Sequence, residues 1–347
     1  MMTLGLLLDQ LPPVPMSTSW LIADLAEAKG KQELFTKQSP QKLKILREHA
    51  IIESAVSSNR IEGVTIDQKR VGTVIFGKPL LRDRNEQEIS GYRDALNIIH
   101  TRGNKIPVSQ QTVKDFHSYI RGEIWDSGQY KIKDGDIIEK YPNGRERVRF
   151  KTVTAADTSL FMEKLVDYWN TCIGDRQVHP LVSLTAFNLD FLCIHPFRDG
   201  NGRVSRLLLL LGCYHLGYEV GRYISLERLI EDNKERYYET LEKSSQHWHQ
   251  GKHDPWPYIN YLLFIIKTAY REFEERAEGL KVPRGAKTEM VLKAIDSFYD
   301  SFTISELKRE CPNVSVDMIR KVLKELKKQG KIRSRGRGQS ARWVKIN

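Results

Sequence analysis

The sequence predicts a mainly α-helical protein with one β-hairpin and a small, separate C-terminal module. Three observations predict it. Two apolar stretches of helical length, Leu181 to Ile194 and Val204 to Leu216, run without an internal proline. Between positions 128 and 153 the composition shifts to β-formers and charges around a Pro142-Asn143-Gly144 turn signal. From Lys281 to Asn347 stand 17 Lys+Arg against 7 Asp+Glu, which is +10 of the chain's net +11.

The bounds on function are simple. At 347 residues and 40% hydrophobic content, the chain has material for two or three domains with ordinary cores. Met1 to Leu8 lacks a basic region, and Asp9, Pro12 and Pro13 interrupt its apolar run, so no secretory signal is expected. The longest apolar runs, such as Leu207 to Leu211, are far too short to span a bilayer. Cys172, Cys193, Cys213 and Cys311 lack paired spacing and read as buried thiols. A cytoplasmic protein with no membrane partner is the expectation.

In chain order, Ser19 to Ala28 reads as a short helix closed by a Gly30-Lys31 turn. Pro40, with Ser39 as cap, opens a longer helix whose apolar positions Leu43, Ile45, Ala50, Ile51, Ala55 and Val56 carry it to about Ile61. Gly63 stands where a helix-ending glycine belongs. Helices follow over Asn85 to His100 and from the Ser109 cap to Ile120, then the hairpin, then an amphipathic helix over Thr154 to Cys172. Beyond the two apolar helices, Ser225 caps another, Asn233 to Leu241 continues helical, and Trp256 to Ala277 closes the larger part. Gly279 to Lys287, with Pro283 and Gly285, reads as a linker.

The chemistry concentrates between the two apolar helices, in His195-Pro-Phe-Arg-Asp-Gly-Asn-Gly-Arg-Val-Ser-Arg206. Glycines at a helix start let unpaired N–H groups converge, and the helix dipole adds positive potential: an anion site. Arg203 and Arg206, three apart, share one helical face, and arginine suits forked contact with phosphate oxygens. Asp199 is a hard oxygen ligand fit for Mg²⁺, and His195 has the unperturbed pKa of a general base near neutrality. Phe197 reads as a core anchor for the loop. Together these groups describe a phosphoryl or nucleotidyl transfer centre, and the residues alone leave the choice between the two open. His215, His247, His249 and His253 form no metal-ligand pattern.

The string resembles the signature of the Fic (Fido) family, His-x-Phe-x-Asp/Glu-Gly-Asn-Gly-Arg-x-x-Arg, at every specified position. Upstream, Ser58-Asn-Arg-Ile-Glu62-Gly63 is similar to the inhibitory signature Ser/Thr-x-x-x-Glu-Gly/Asn of Fic proteins that carry the inhibitory segment before their own core. Asn233-Lys-Glu-Arg-Tyr237-Tyr238-Glu-Thr-Leu241 is similar to a family stretch in which a tyrosine helps bind the adenine side of ATP, here Tyr238 in preference to Tyr237. The resemblance spans about Pro40 to Ala277.

It implies a Fic helical bundle core at 106–278 behind an N-terminal helical region at 1–105, whose inhibitory segment covers about 40–63. It implies a Mg²⁺- and ATP-dependent protein adenylyltransferase acting on a Ser, Thr or Tyr hydroxyl of a target protein. His195 would be the base and Asp199 the metal ligand. Gly200, Asn201, Gly202, Arg203, Val204, Ser205 and Arg206 would hold the nucleotide, with Glu62, His195 and Tyr238. Ser58, Glu62 and Gly63 would inhibit, Glu62 by pairing with Arg206. The hairpin would be a flap along whose edge the target docks by strand addition. A homodimer is left open.

After the linker at 279–287, residues 288–347 look like a winged helix-turn-helix module: helices over Glu289 to Phe298, Ser305 to Arg309 (capped by Ser305) and Val316 to Lys328 (capped by Ser315), then two strands around a wing. Arg320, Lys321 and Lys324 on the third helix, with Arg335 and Arg337 in the wing, suit DNA phosphates. Modules of this shape also bind proteins or dimerise, so both partners stay open. The alternative function is a nucleotide-sensing, DNA-binding transcription regulator.

Overall fold

The computed structural model describes residues 1–36, 40–77, 80–140, 145–175, 177–279, 288, 291–292, 294–295, 298, 301–311, 314–336 and 341–346. Ser39, the Pro142-Asn143-Gly144 turn, linker positions 280–287, much of the Glu289 to Phe298 helix and Arg337 lie outside them. Among the described residues the chain is mainly helical with small antiparallel sheets, and it divides into two compact units, Met1–Glu275 and Arg276–Asn347.

The first unit is built around α8 (Pro180–Ile194), in which every residue from Leu181 to Ile194 is buried. A helix apolar all round belongs at the centre, provided its few polar groups find partners. They do. Asn188 donates to the Ser205 carbonyl (2.7 Å) and accepts from the Tyr258 hydroxyl (2.8 Å). Asp190 accepts from the amides of Thr3 and Leu4 at the start of α1 (Thr3–Gln10), at 2.7 and 2.9 Å, and from the Trp248 indole at 2.7 Å. A buried carboxylate thus satisfies a helix start that has no cap of its own.

Against α8 lie α7 (Ala155–Asp175) and α9 (Asn201–His215). On α9, Gly212 gives the close approach its room, since a Cβ there would come within 2.2 Å of Leu184 Cδ1. Around them pack α2 (Met16–Thr36), α3 (Pro40–Ile61), α4 (Gln68–Phe76), α5 (Arg84–Arg102), α6 (Gln110–Arg121), α10 (Leu226–Asp232), α11 (Lys234–Ser245) and α12 (Trp256–Gly279). Helices α5 and α6 touch backbone to side-chain position: a Cβ on Gly91 would lie 1.8 Å from the Tyr119 carbonyl oxygen.

Three sequence expectations need correction. Helix α2 runs through Gly30 to Thr36 where a turn was expected, because tertiary packing overrides the weak glycine penalty. The linker expectation began at Gly279, which instead ends α12. Among the described residues the β-rich stretch pairs over β1 (Ile137–Lys140) and β2 (Glu146–Phe150), antiparallel, with a bulge between Ile137 and Ile138; residues 128–136 form a loop.

The second unit has β3 (Ser301–Phe302), α13 (Ile304–Glu310), α14 (Val316–Lys328), β4 (Ile332–Arg335) and β5 (Arg342–Lys345), with strand order β3-β5-β4. Phe302, Leu307, Ile319, Val322, Leu323 and Ile332 form its core, with Trp343 packed against them. The cap of α13 is Thr303 in place of Ser305. Thr303 and Glu306 make a reciprocal capping box, the Glu306 amide on Thr303 Oγ1 at 3.2 Å and the Thr303 amide on Glu306 Oε2 at 2.7 Å. Ser315 caps α14.

Candidate active site

The loop between α8 and α9 is set by its own residues. His195 closes α8 in the left-handed region (φ +53°), with its N–H on the Phe191 carbonyl at 3.0 Å. Phe197 is fully buried and stacks on His117, ring centres 3.8 Å apart. Asn201 clasps the loop: its side-chain oxygen accepts from the Phe197 amide (2.9 Å) and its side-chain nitrogen donates to the Phe197 carbonyl (2.8 Å). Gly200, at φ +83°, precedes α9 without any side-chain cap, so the first-turn N–H groups are left to other acceptors.

Glu62 lies over that helix start. Helix α3 ends with Gly63 at φ +83° and with the Val64 amide reaching back to the Asn59 carbonyl at 3.0 Å, which fixes where Glu62 projects. Its Oε1 accepts from Arg206 Nη2 at 2.8 Å, and a Cβ on Gly202 would be 2.2 Å from the same oxygen. Arg206 also donates from Nε to Ser58 Oγ (2.8 Å) and from Nη2 to the Ser58 carbonyl (2.9 Å). Burial lowers the Arg206 guanidinium, but Glu62, Tyr237 and Tyr92 together hold the pKa above the usual range.

Arg203 is turned the other way. It is 1% exposed and donates from Nη1 to Glu88 Oε2 (2.5 Å) and Asn59 Oδ1 (3.2 Å). Glu88, itself 3% exposed, also receives Arg121 (3.3 Å) and Arg84 (2.8 Å). Arg121 in turn donates to Asp199 Oδ2 at 2.6 Å. Asp199 is 51% exposed; burial pushes its carboxyl up, while Arg203 and Arg121 together hold it below the ordinary value. The backbone of Asp199 is fixed as well. Gly128's amide donates to His117 Nδ1 (3.0 Å), so His117 Nε2 carries the proton and donates to the Asp199 carbonyl (3.1 Å).

Of the nucleotide-binding residues expected from sequence, Glu62, His195, Gly202 and Tyr238 line one cavity of 240 Å³, with Arg149 and Phe150 of the hairpin. Val204 is buried in the core, and the Ser205 hydroxyl bonds the Gly202 carbonyl at 2.7 Å, so neither side chain lines it. Gly200, Asn201, Arg203 and Arg206 do not line it either. Tyr237 is buried against Tyr258 and Tyr261, whereas Tyr238 is half-buried beneath Arg149 and Lys234. The hairpin is anchored to α11, with Arg149 on Glu242 at 3.0 Å and on the Tyr238 carbonyl at 2.8 Å.

His195 also borders a second cavity, of 500 Å³, formed by the 125–136 loop with Phe197 and Arg198. His195 therefore borders two spaces. Burial first, then the Lys131 cation, lowers its pKa to about 4, with Glu62 and Asp199 opposing. A larger cleft of 1180 Å³ carries none of the 195–206 motif.

Sequence reasoning missed Asn59, Arg84, Glu88, His117, Arg121 and Lys131. One signal was available: Glu88 is in helical register with the apolar Tyr92, Ala95 and Ile99, an acid on a buried face.

A mainly helical bundle with a hairpin beside a glycine-capped, arginine-lined helix start is the architecture of the Fic fold. Residues 107–212 match the model of the Fic/DOC family, and the chain carries a Fic/DOC family domain there. A Fic family protein from Desulfovibrio desulfuricans G20 is similar, with a TM-score of 0.66 and 21% identity, over 96% of this chain and 97% of that one. So is a Fic domain containing signaling protein from Bacteroides thetaiotaomicron VPI-5482, at TM-score 0.61 and 21% identity, over 74% of this chain and 98% of that one. Fic-1 from C. elegans gives 0.59 at 16% identity, over 77% and 76%. Among the described residues no helix is long and apolar enough to cross a membrane.

Proposed function

We propose that this chain is a Mg²⁺- and ATP-dependent protein adenylyltransferase that moves AMP to a Ser, Thr or Tyr hydroxyl of a target protein, and that Glu62 restrains it. One observation carries the reading: the Glu62 carboxylate lies on Arg206 and over Gly202, where a phosphate would meet the uncapped start of α9. The pair is shielded, Arg206 being 3% and Glu62 29% exposed, so it is not the weak contact of an open surface.

His195 faces two cavities, which suits a base between nucleotide and acceptor. It takes the hydroxyl proton, the oxygen attacks the α-phosphorus, and pyrophosphate leaves. The α9 amides and a released Arg206 stabilise the charge on the phosphates. Asp199 is a single, half-exposed carboxylate. That donor set fits Mg²⁺, which takes one or two carboxylates and fills its remaining positions with phosphate oxygens and water. Bound there, Mg²⁺ would neutralise phosphate charge. With Glu62 on Arg206, the triphosphate is held off line, and a misplacement of about 1 Å costs roughly two orders of magnitude in rate. Four buried, free cysteines agree with a reducing, cytoplasmic setting.

The test is intact-mass analysis after incubation with Mg²⁺–ATP. An AMP-sized increment should grow in Glu62→Gly and vanish in Glu62→Gly with His195→Ala. A phosphate-sized increment would replace adenylylation with phosphorylation.

A second reading applies to the C-terminal unit. Its helix pair between β3 and β4, with β5 returning between them, supports reading it as a winged helix, and Arg320, Lys321, Lys324, Lys327 and Lys328 are exposed along α14. This favours duplex DNA as a partner, as in a nucleotide-sensing regulator. Full-length protein should shift a DNA duplex with steep salt dependence, and retention of binding by Arg320→Ala with Lys321→Ala and Lys324→Ala would exclude this face.

A further inference from the structure

His195 holds a backbone conformation that side-chain-bearing residues rarely adopt, and such a conformation persists only where its surroundings over-determine it. Lys131 does much of that. Its main-chain N–H donates to the Pro196 carbonyl at 2.8 Å, immediately after His195. Its ammonium donates to the Ile194 carbonyl at 3.2 Å, immediately before. The same ammonium donates to Thr152 Oγ1 at 2.8 Å, just beyond the end of β2, and that hydroxyl donates to the Gly135 carbonyl at 2.6 Å. Lys131 is 7% exposed. A lysine so buried needs firm acceptors, and those of its ammonium are the Ile194 carbonyl, next to His195, and Thr152 at the root of the hairpin.

We infer that Lys131 is a positioning residue for His195, aiming the imidazole by gripping the carbonyls on both sides of it and tying them to the root of the hairpin. This rests on His195 being the base. Lys131 also borders the 500 Å³ cavity, but its hydrogen bonds go to the backbone beside His195 and to Thr152, so it acts through the histidine. Burial lowers its own pKa to about 8, so the ammonium is charged at neutral pH. The charged groups that act on the imidazole are Lys131 from this loop, Glu62 from the end of α3 and Asp199 from the motif loop.

The experiment uses the full chain in the Glu62→Gly background, with auto-modification read by intact mass at varied ATP and the His195 imidazole titrated by NMR. Lys131→Met should lower the saturated rate by about 30- to 100-fold while the half-saturating ATP concentration moves less than about twofold. It should also raise the His195 titration midpoint. Lys131→Arg should restore the rate to within about fivefold, since it keeps charge and donors. Thr152→Val should fall between parent and Lys131→Met, and it decides the matter if Lys131→Met does not fold. A folded Lys131→Met with the parent's rate and midpoint would overturn the inference. So would a loss that Lys131→Arg does not rescue and that leaves the midpoint unmoved. A silent Glu62→Gly parent would instead count against adenylylation, and the midpoint would still report the grip of Lys131.

Discussion

Glu88 is the residue on which the buried charges of the site depend. It faces Arg203, Arg121 and Arg84 from one helix position, with 3% of its side chain exposed. Removing one charge from a buried network costs more than the network contributes, because the partners stay buried and uncompensated. Glu88→Gln should therefore lower unfolding stability by about 3 kcal/mol in urea titration; a loss no larger than that of a surface Glu→Gln change would show that Asp199 and Asp126, the latter 3.5 Å from Arg121, suffice for the arginines. Its importance was hard to read from the chain. His195, Asp199, Gly200, Gly202 and Arg206 stand within one dozen residues and declare their chemistry together. Glu88 meets Arg203 across 115 positions and Arg121 across 33. No spacing rule links such pairs, and the only hint is an acid on an otherwise apolar helix face.

Among the elements, the α5–α6 contact decides whether that charge network can form. Gly91 sits one turn after Glu88, and its missing Cβ leaves 1.8 Å to the Tyr119 carbonyl, two residues before Arg121. Backbone cannot yield as a side-chain tip can. Gly91→Ala should force the helices apart and lower Tm by on the order of 5 °C, despite alanine's better helix propensity. An unchanged or raised Tm in a thermal melt would mean that the helices slide freely. Element boundaries were legible where caps and proline act, as at Ser109, Ser225 and Ser315. They were not legible for α1, whose first amides are satisfied by Asp190 from far along the chain. Nor were they for α4, a nine-residue helix with three buried side chains, or for α2, which packing carries past Gly30.

For the molecule as a whole, buried histidines set the response to acid. Burial lowers His100 to about 3 and His117, His195 and His253 to about 4. In the unfolded chain each titrates near 6.5 (approximately). Protons therefore bind the unfolded state first, and stability is complete above about pH 6.5 and declines as pH falls toward about 4. Glu86, held at about 2 by Arg70, titrates only below that window. The urea midpoint should fall between pH 7 and pH 5, and a constant midpoint over that range would contradict it. The mainly helical architecture was legible from periodicity alone, whereas the shared burial of four histidines drawn from separate segments is a property of the assembled unit. The seat of Glu62 above Gly202 bears on how restraint could be lost. Inhibitor and nucleotide would use the same glycine, so a side chain added there to expel one would also bar the other. A genetic selection for unrestrained variants should accordingly recover changes at Ser58, Glu62 or Gly63 and none at 202, leaving escape from control to a stretch of sequence remote from the motif that performs the chemistry.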